Sequence, residues 1–141
     1  MAHEKLFLAL LGSSSAHAEA SRKAFNALGL TEGQPKILYI LQNQDGQVQK
    51  ELAAVCGIKQ STLAVLLGKM EKQNLIYKEV CYVSGMKRAY KIFLTEKGRD
   101  IAEHLYKVVE ELEEKSFAGF SPEEKATLLS LLSKVEYNMQ K

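Results

Sequence analysis

A mainly helical fold with one small β-hairpin, an α+β chain dominated by its helices, is what this sequence predicts, on three observations. Apolar residues recur at helical spacing over most of the length. Only two adjoining runs, 76–83 and 89–94, read as strands, and the turn between them contains glycine. Helix start and stop residues punctuate the rest, as in Thr31-Glu32-Gly33-Gln34-Pro35, at Gly57, and in Ser121-Pro122-Glu123-Glu124. At 141 residues the chain suffices for one cored domain, taken as 1–141, and is short for two.

Residues 4–28 read as the first helix, with Phe7, Leu10, Leu11, Ala18, Phe25 and Leu28 roughly on one side. The stretch Gly12 to Ala20 is rich in small residues, which suits close helix approach and weakens helix propensity. Gly12 to Ser15 is therefore a candidate kink or break. The Thr31 capping box opens a second helix with Ile37, Leu38 and Leu41 inward, ending before Asp45-Gly46. Gln47 to Gln49 is a candidate for a very short strand. Next comes a helix with Leu52, Ala53, Val55 and Cys56 as its apolar stripe, stopped by Gly57, where positive φ is easy. A further helix begins near Lys59 to Ser61 and turns Leu63, Leu66, Leu67 and Met70 inward. Ser61, Thr62, Val65, Lys69 and Lys72 are left on the opposite side. Asn74 is a candidate left-handed cap. The hairpin turn, Ser84 to Arg88, has a basic tip. Thr95 starts the next helix, with Ile101, Leu105, Val108 and Leu112 in a stripe. Ser121 starts the last, with Leu128, Leu131, Leu132, Val135 and Met139.

Two short helices joined by a tight turn and followed by a basic-tipped hairpin make a winged helix-turn-helix. The charge distribution agrees. Residues 50–99 carry a net +6 and the remainder −4, so a net charge of +2 conceals a basic middle in an acidic frame. That is the footprint of a region that meets phosphate, with a merely solvated charged face as the alternative. The terminal helical regions, about 4–30 and 99–140, are apolar beyond what the 34–98 core can cover. A second copy packed across a two-fold axis would bury them and present two half-sites about one DNA turn apart.

Three blocks carry a family resemblance: LTEGQPKILYIL (30–41), KELAAVCGIKQSTLAVLLGKMEKQNLI (50–76) and KRAYKIFLTEKG (87–98). In this order and at these intervals the chain resembles the MarR family of bacterial and archaeal winged-helix transcription regulators. The resemblance implies a homodimer on a pseudo-palindromic duplex operator, most simply a repressor. It also implies a small aromatic or amphipathic effector taken between the dimerisation helices and the winged helix, and no cofactor. The groove-facing residues it implies are Lys59, Gln60, Ser61, Thr62, Val65 and Lys69, with Lys87, Arg88 and Lys91 on the wing. Ser61 and Thr62 have two available roles, helix capping or donation to phosphate. Phe7, Leu11, Ile37, Tyr39, Leu105 and Tyr106 are positioned to line the effector pocket.

The chain departs from the family pattern twice. Ala64-Val65 stands where polar and often basic residues follow the helix-start ST, leaving apolar groups suited to thymine methyls. Met86 stands where the wing's Asp-x-Arg motif has its carboxylate, two residues before Arg88. The rival reading is a winged helix that binds a protein partner, to which Ala64, Val65 and Met86 are better suited.

Other chemistries lack their residues. His3, His17 and His104 are scattered without zinc-ligand spacing. Glu110, Glu111, Glu113 and Glu114 form a solvated helix face. Cys56 and Cys81 read as reduced thiols, with packing preferred over a redox role for Cys81. No nucleophile elbow, phosphate loop or paired-carboxylate pattern supports catalysis. The apolar run Leu6 to Leu11 is too short for a signal peptide, and no run approaches the ~20 apolar residues of a membrane span, so a cytoplasmic protein is expected.

Overall fold

Helix ends in the middle of the chain are closed by their own backbone, and this fixes how the helices stack. In the computed structural model, which describes residues 4–141, the helices are α1 (Leu6–Asn26), α2 (Gln34–Asn43), α3 (Gln49–Cys56), α4 (Gln60–Lys72), α5 (Glu96–Ser116) and α6 (Pro122–Met139). The strands are β1 (Gln47–Val48), β2 (Ile76–Val83) and β3 (Lys87–Leu94). After α3, Gly57 takes φ 69°, and the Gly57 and Ile58 N–H groups donate to Ala54 and Ala53 carbonyls. After α4, Asn74 takes φ 62°, and the Asn74 and Leu75 N–H groups donate to Glu71 and Met70 carbonyls. Both are Schellman closures, which satisfy carbonyls that a helix end would otherwise orphan.

The strands form one antiparallel sheet in the order β1-β3-β2, with Ile76 opposite Leu94 and Val83 opposite Lys87. Period-2 alternation puts Ile76, Ile92 and Leu94 on the core side at the base of the hairpin, where all three are buried. They pack with Ile37, Leu38 and Leu41 from α2, Leu52, Ala53 and Cys56 from α3, Leu63, Leu67 and Met70 from α4, and Ala102 and Leu105 from α5. Each buried Leu, Ile or Met among them contributes roughly 1.5–3 kcal/mol, so this single cluster outweighs any surface ion pair among the described residues. Burial also pushes the Cys56 thiol pKa up, against the opposing charge of Lys36.

The structure corrects three expectations. Val55 is exposed, because only positions 52, 53 and 56 of α3 share the inward face. The 31–34 capping box forms by half. Gly33, not Thr31, occupies the N-cap at φ 89°, while the Gln34 side-chain carbonyl accepts the Thr31 N–H at 3.2 Å. The small-residue stretch of α1 makes no break, and the Ser13 hydroxyl is satisfied within the helix by the Leu10 carbonyl. The chain divides into two compact units, one ending at Val109 and the other Glu110–Lys141. The first half of α5 therefore belongs with the winged unit, since Gly98, Ala102 and Leu105 are buried there. In the second unit the Ser121 box is complete. The Ser121 hydroxyl accepts the Glu124 N–H at 3.1 Å, and the Glu124 carboxylate accepts the Ser121 N–H at 2.9 Å.

Among the described residues no single helix is long and apolar enough to cross a membrane. Nor does any group of three or more His, Cys, Asp or Glu among them make a metal site. His3 lies outside the described residues.

Candidate nucleic-acid interface

The helix α4 divides cleanly. Leu63, Leu67 and Met70 are fully buried and Leu66 packs against the core, which turns Gln60, Ser61, Thr62, Val65 and Lys69 outward. Val65 is 64% exposed, high for a β-branched apolar side chain on a folded helix. Lys59 is the N-cap, in extended conformation and without a side-chain cap bond. Ser61 and Thr62 lie inside the first turn and do not cap, which removes one of their two candidate roles. The first N–H groups of α4 are thus free of side-chain partners and, with the helix dipole, favour an anion.

At its base the wing is tied to both neighbouring helices by bonds the sequence does not announce. Asp45 accepts the Gly46 N–H at 3.1 Å and the Leu94 N–H at 3.0 Å through one oxygen, and holds Arg99 of α5 at 3.0 Å through the other. The Thr95 hydroxyl accepts the Gly98 N–H at 2.9 Å, capping α5, and donates to the Asn74 carbonyl at 2.6 Å. Lys97 Nζ donates to the Gln73 carbonyl at 3.1 Å. Buried Gln34 donates to the Gln73 side chain at 2.9 Å. The end of α4 is thereby fastened to the starts of both α2 and α5. Asp45-Gly46 was legible as a helix stop, since aspartate in such turns accepts nearby N–H groups. Its reach to Leu94 and Arg99, 49 and 54 residues away, was not.

Towards its tip the ribbon leaves the core, and its two faces differ. Lys78, Val80, Tyr82, Arg88 and Tyr90 continue the core-side face, while Glu79, Cys81, Lys87, Ala89 and Lys91 lie on the other. Arg88 is not at the tip, as the sequence suggested, but is the second residue of β3, opposite Tyr82. The loop shrinks to Ser84–Met86, with Gly85 at φ 77° and Met86 at φ 63°. Lys87 is exposed beside that loop. Lys91 is exposed between Val48 and Glu79 of the flanking strands, so part of its charge is balanced by a cross-strand carboxylate.

The candidate effector residues differ widely in exposure. Phe7 and Leu11 stand 73% and 53% exposed on α1. Ile37 and Leu105 are fully buried and belong to the core cluster. Tyr39 and Tyr106 are stacked with centroids 4.6 Å apart, and the Tyr106 hydroxyl donates to the Asn43 side chain.

A short polar helix face beside a basic ribbon, both mounted on a packed three-helix body, defines a winged helix-turn-helix of the nucleic-acid-binding class. The family model of the MarR family matches residues 30–81. The chain is 32% identical over 117 residues to YybA of Bacillus subtilis (strain 168), an uncharacterized HTH-type transcriptional regulator, covering 83% of this chain and 77% of that one. Its fold matches a putative MarR family regulator from Listeria monocytogenes solved with a 26mer DNA (TM-score 0.82, 24% identity, 97% of this chain and 90% of that one). It also matches CouR from Rhodococcus jostii RHA1 bound to p-coumaroyl-CoA (TM-score 0.79, 20% identity, 94% and 91%). The chain belongs to the MarR family of transcriptional regulators.

Proposed function

We propose that this regulator acts as a dimeric repressor, with α4 in the major groove and the wing along the adjacent backbone or minor groove. The observation that carries the reading is the outward face of α4. Gln60, Ser61, Thr62 and Lys69 are exposed there, and among the described residues no side chain of the protein bonds or pairs with theirs. Ser61, Thr62 and the first N–H groups of α4 are suited to a phosphate, Gln60 to a base edge, and Val65 with Ala64 to thymine methyls. Lys59, Lys69, Lys87 and Lys91 add phosphate attraction, and Arg88 is the wing's groove contact. The DNA-bound Listeria relative and the ligand-bound CouR support a regulator whose DNA affinity is lowered by a small aromatic or amphipathic effector. Such a ligand has only to favour a spacing of the two α4 helices that misses successive major grooves.

The test is a genomic-fragment binding selection with the purified protein at low and moderate salt. One palindromic site is expected, with affinity falling steeply as salt rises and weakened by Arg88→Ala. Recovery of only sequence-blind, salt-sensitive binding would overturn specific recognition by α4. Failure to bind any duplex would favour a protein partner for the Ala64-Val65 face.

A further inference from the structure

The wing arginine has an unusual support. Residue 86 is Met, 81% exposed, and among the described residues no carboxylate lies within ion-pair distance of Arg88. Instead the Arg88 Cζ lies 5.5 Å from the centroid of the Tyr90 ring, its neighbour on the same face of β3. On the core side, Lys78 Nζ lies 5.8 Å from that same ring. Lys78 in turn is 4.0 Å from the Glu71 carboxylate in the last turns of α4. Glu71, Lys78, Tyr90 and Arg88 thus form one continuous ladder from the end of the recognition helix to the wing.

We propose that Tyr90 is the positioning residue that holds Arg88 in its DNA-contacting conformation, with Lys78 and Glu71 tying that ring to α4. This rests on the reading of Arg88 as a wing contact. A guanidinium attracted to an aromatic ring uses its flat face, whereas its five N–H donors lie in its plane. A carboxylate partner would consume two of those donors in a bidentate pair. A ring leaves all of them for phosphate or minor-groove acceptors while still restricting a side chain rich in rotamers. The ladder also gives wing and recognition helix a shared reference, so that Arg88 and the outward face of α4 meet DNA in a fixed relation.

The test compares Tyr90→Phe, Tyr90→Leu, Arg88→Ala and the double variant Tyr90→Leu/Arg88→Ala in two measurements. In the free protein, ring-current displacement of the Arg88 Hδ resonances is expected in the wild type and Tyr90→Phe, and is expected to vanish in Tyr90→Leu. On the tightest duplex recovered by the wild-type protein in the selection above, Tyr90→Leu is expected to weaken binding roughly three- to tenfold when two wings engage. Tyr90→Phe should bind like the wild type. In the Arg88→Ala background Tyr90→Leu should cost nothing further. Thermal midpoints of the variants separate misfolding from mispositioning. Random-coil Hδ shifts in the wild type would overturn the proposal and leave the regulator reading standing. So would an equal loss from Tyr90→Leu with and without Arg88. Absence of duplex binding by the wild type would sink the regulator reading, while the resonance measurement would still decide whether the ring holds the arginine.

Discussion

The winged core and the terminal helices follow opposite rules. In the core, each element buries one face: α2, α3 and α4 each place three side chains in the cluster, and the hairpin base adds Ile76, Ile92 and Leu94. By contrast α1, with 21 residues, and α6, with 18, contain no buried residue, although both carry long apolar stretches. Leu6, Phe7 and Leu11 of α1, and Leu129, Leu131 and Leu132 of α6, are exposed large apolar side chains. The core is thus complete within the winged unit, whereas α1 and α6 contain no buried residue and would be covered by the second copy in the proposed dimer. Those exposed side chains are what favours the proposed dimer, and the difference can be broken from either side.

The largest effect is expected at Gly98. A Cβ there would run into the Leu75 backbone carbonyl, which is already committed to the Thr95 N–H at 3.1 Å. Neither α5 nor the end of α4 can retreat without breaking the Thr95, Lys97 and Gln34 bonds that fasten them. Gly98→Ala should therefore destabilise the winged unit by about 3 kcal/mol or more, as severe backbone conflicts do, measured by urea unfolding. A loss within about 0.5 kcal/mol would show that the junction is softer than its bonds suggest.

How much of this was legible follows the same division. Positions 37, 38, 41, 52, 63, 67 and 70 declared the core by spacing alone, since helical period and burial coincide where a helix has one partner face. The two capping boxes show where that logic stops. Ser121 to Glu124 obeys its local signature because nothing else engages those side chains. Thr31 to Gln34 carries a similar signature, but only the Gln34 side-chain half forms. The Gln34 N–H donates to the Thr31 backbone carbonyl, Gly33 takes the cap, and the same Gln34 side chain also reaches Gln73, 39 residues away. Local sequence cannot report a bond to a distant residue. The wing failed for a related reason. The basic run Lys87-Arg88 read as turn, and only the register with Val83 and Tyr82 shows it to be strand, which is what brings Arg88 and Tyr90 onto one face. The effector residues pose a different problem: Ile37 and Leu105 are apolar and suitably placed, and apolar spacing does not separate a pocket wall from the core in which both are buried.

From the other side, a charge on a terminal helix should spare the fold of the core and abolish assembly. Leu132→Glu places a carboxylate on a half-exposed position of α6, a helix with no buried residue. Within a two-fold interface the same charge would be desolvated, a change that commonly costs several kcal/mol. Sedimentation equilibrium at micromolar concentration is expected to give a dimer for the wild type and a monomer for the variant. Circular dichroism at 222 nm should change little. A variant that remains dimeric would place the interface away from α6.

The smallest effect tests whether the two regions are one cooperative unit at all. Ser121→Ala removes the hydroxyl that accepts the Glu124 N–H and leaves the Glu124 carboxylate with half of a reciprocal pair. Loss of such a cap costs about 1 kcal/mol, with Pro122 still favouring the helix start. Because no residue of α6 is fully buried within its own subunit, that loss should stay local under conditions dilute enough to keep the chain monomeric. Amide exchange in the first turns of α6 should quicken by roughly fivefold, while protection at Leu67 and Ile92, both fully buried, stays at its wild-type value. At concentrations where dimers form, the same substitution should instead lower the thermal midpoint of the whole protein, since the interface would then couple α6 to everything packed behind it. If core protection fell in the monomer as well, α6 and the winged unit would be cooperative within one chain. The contrast between a self-sufficient core and dependent terminal helices would then have to be abandoned.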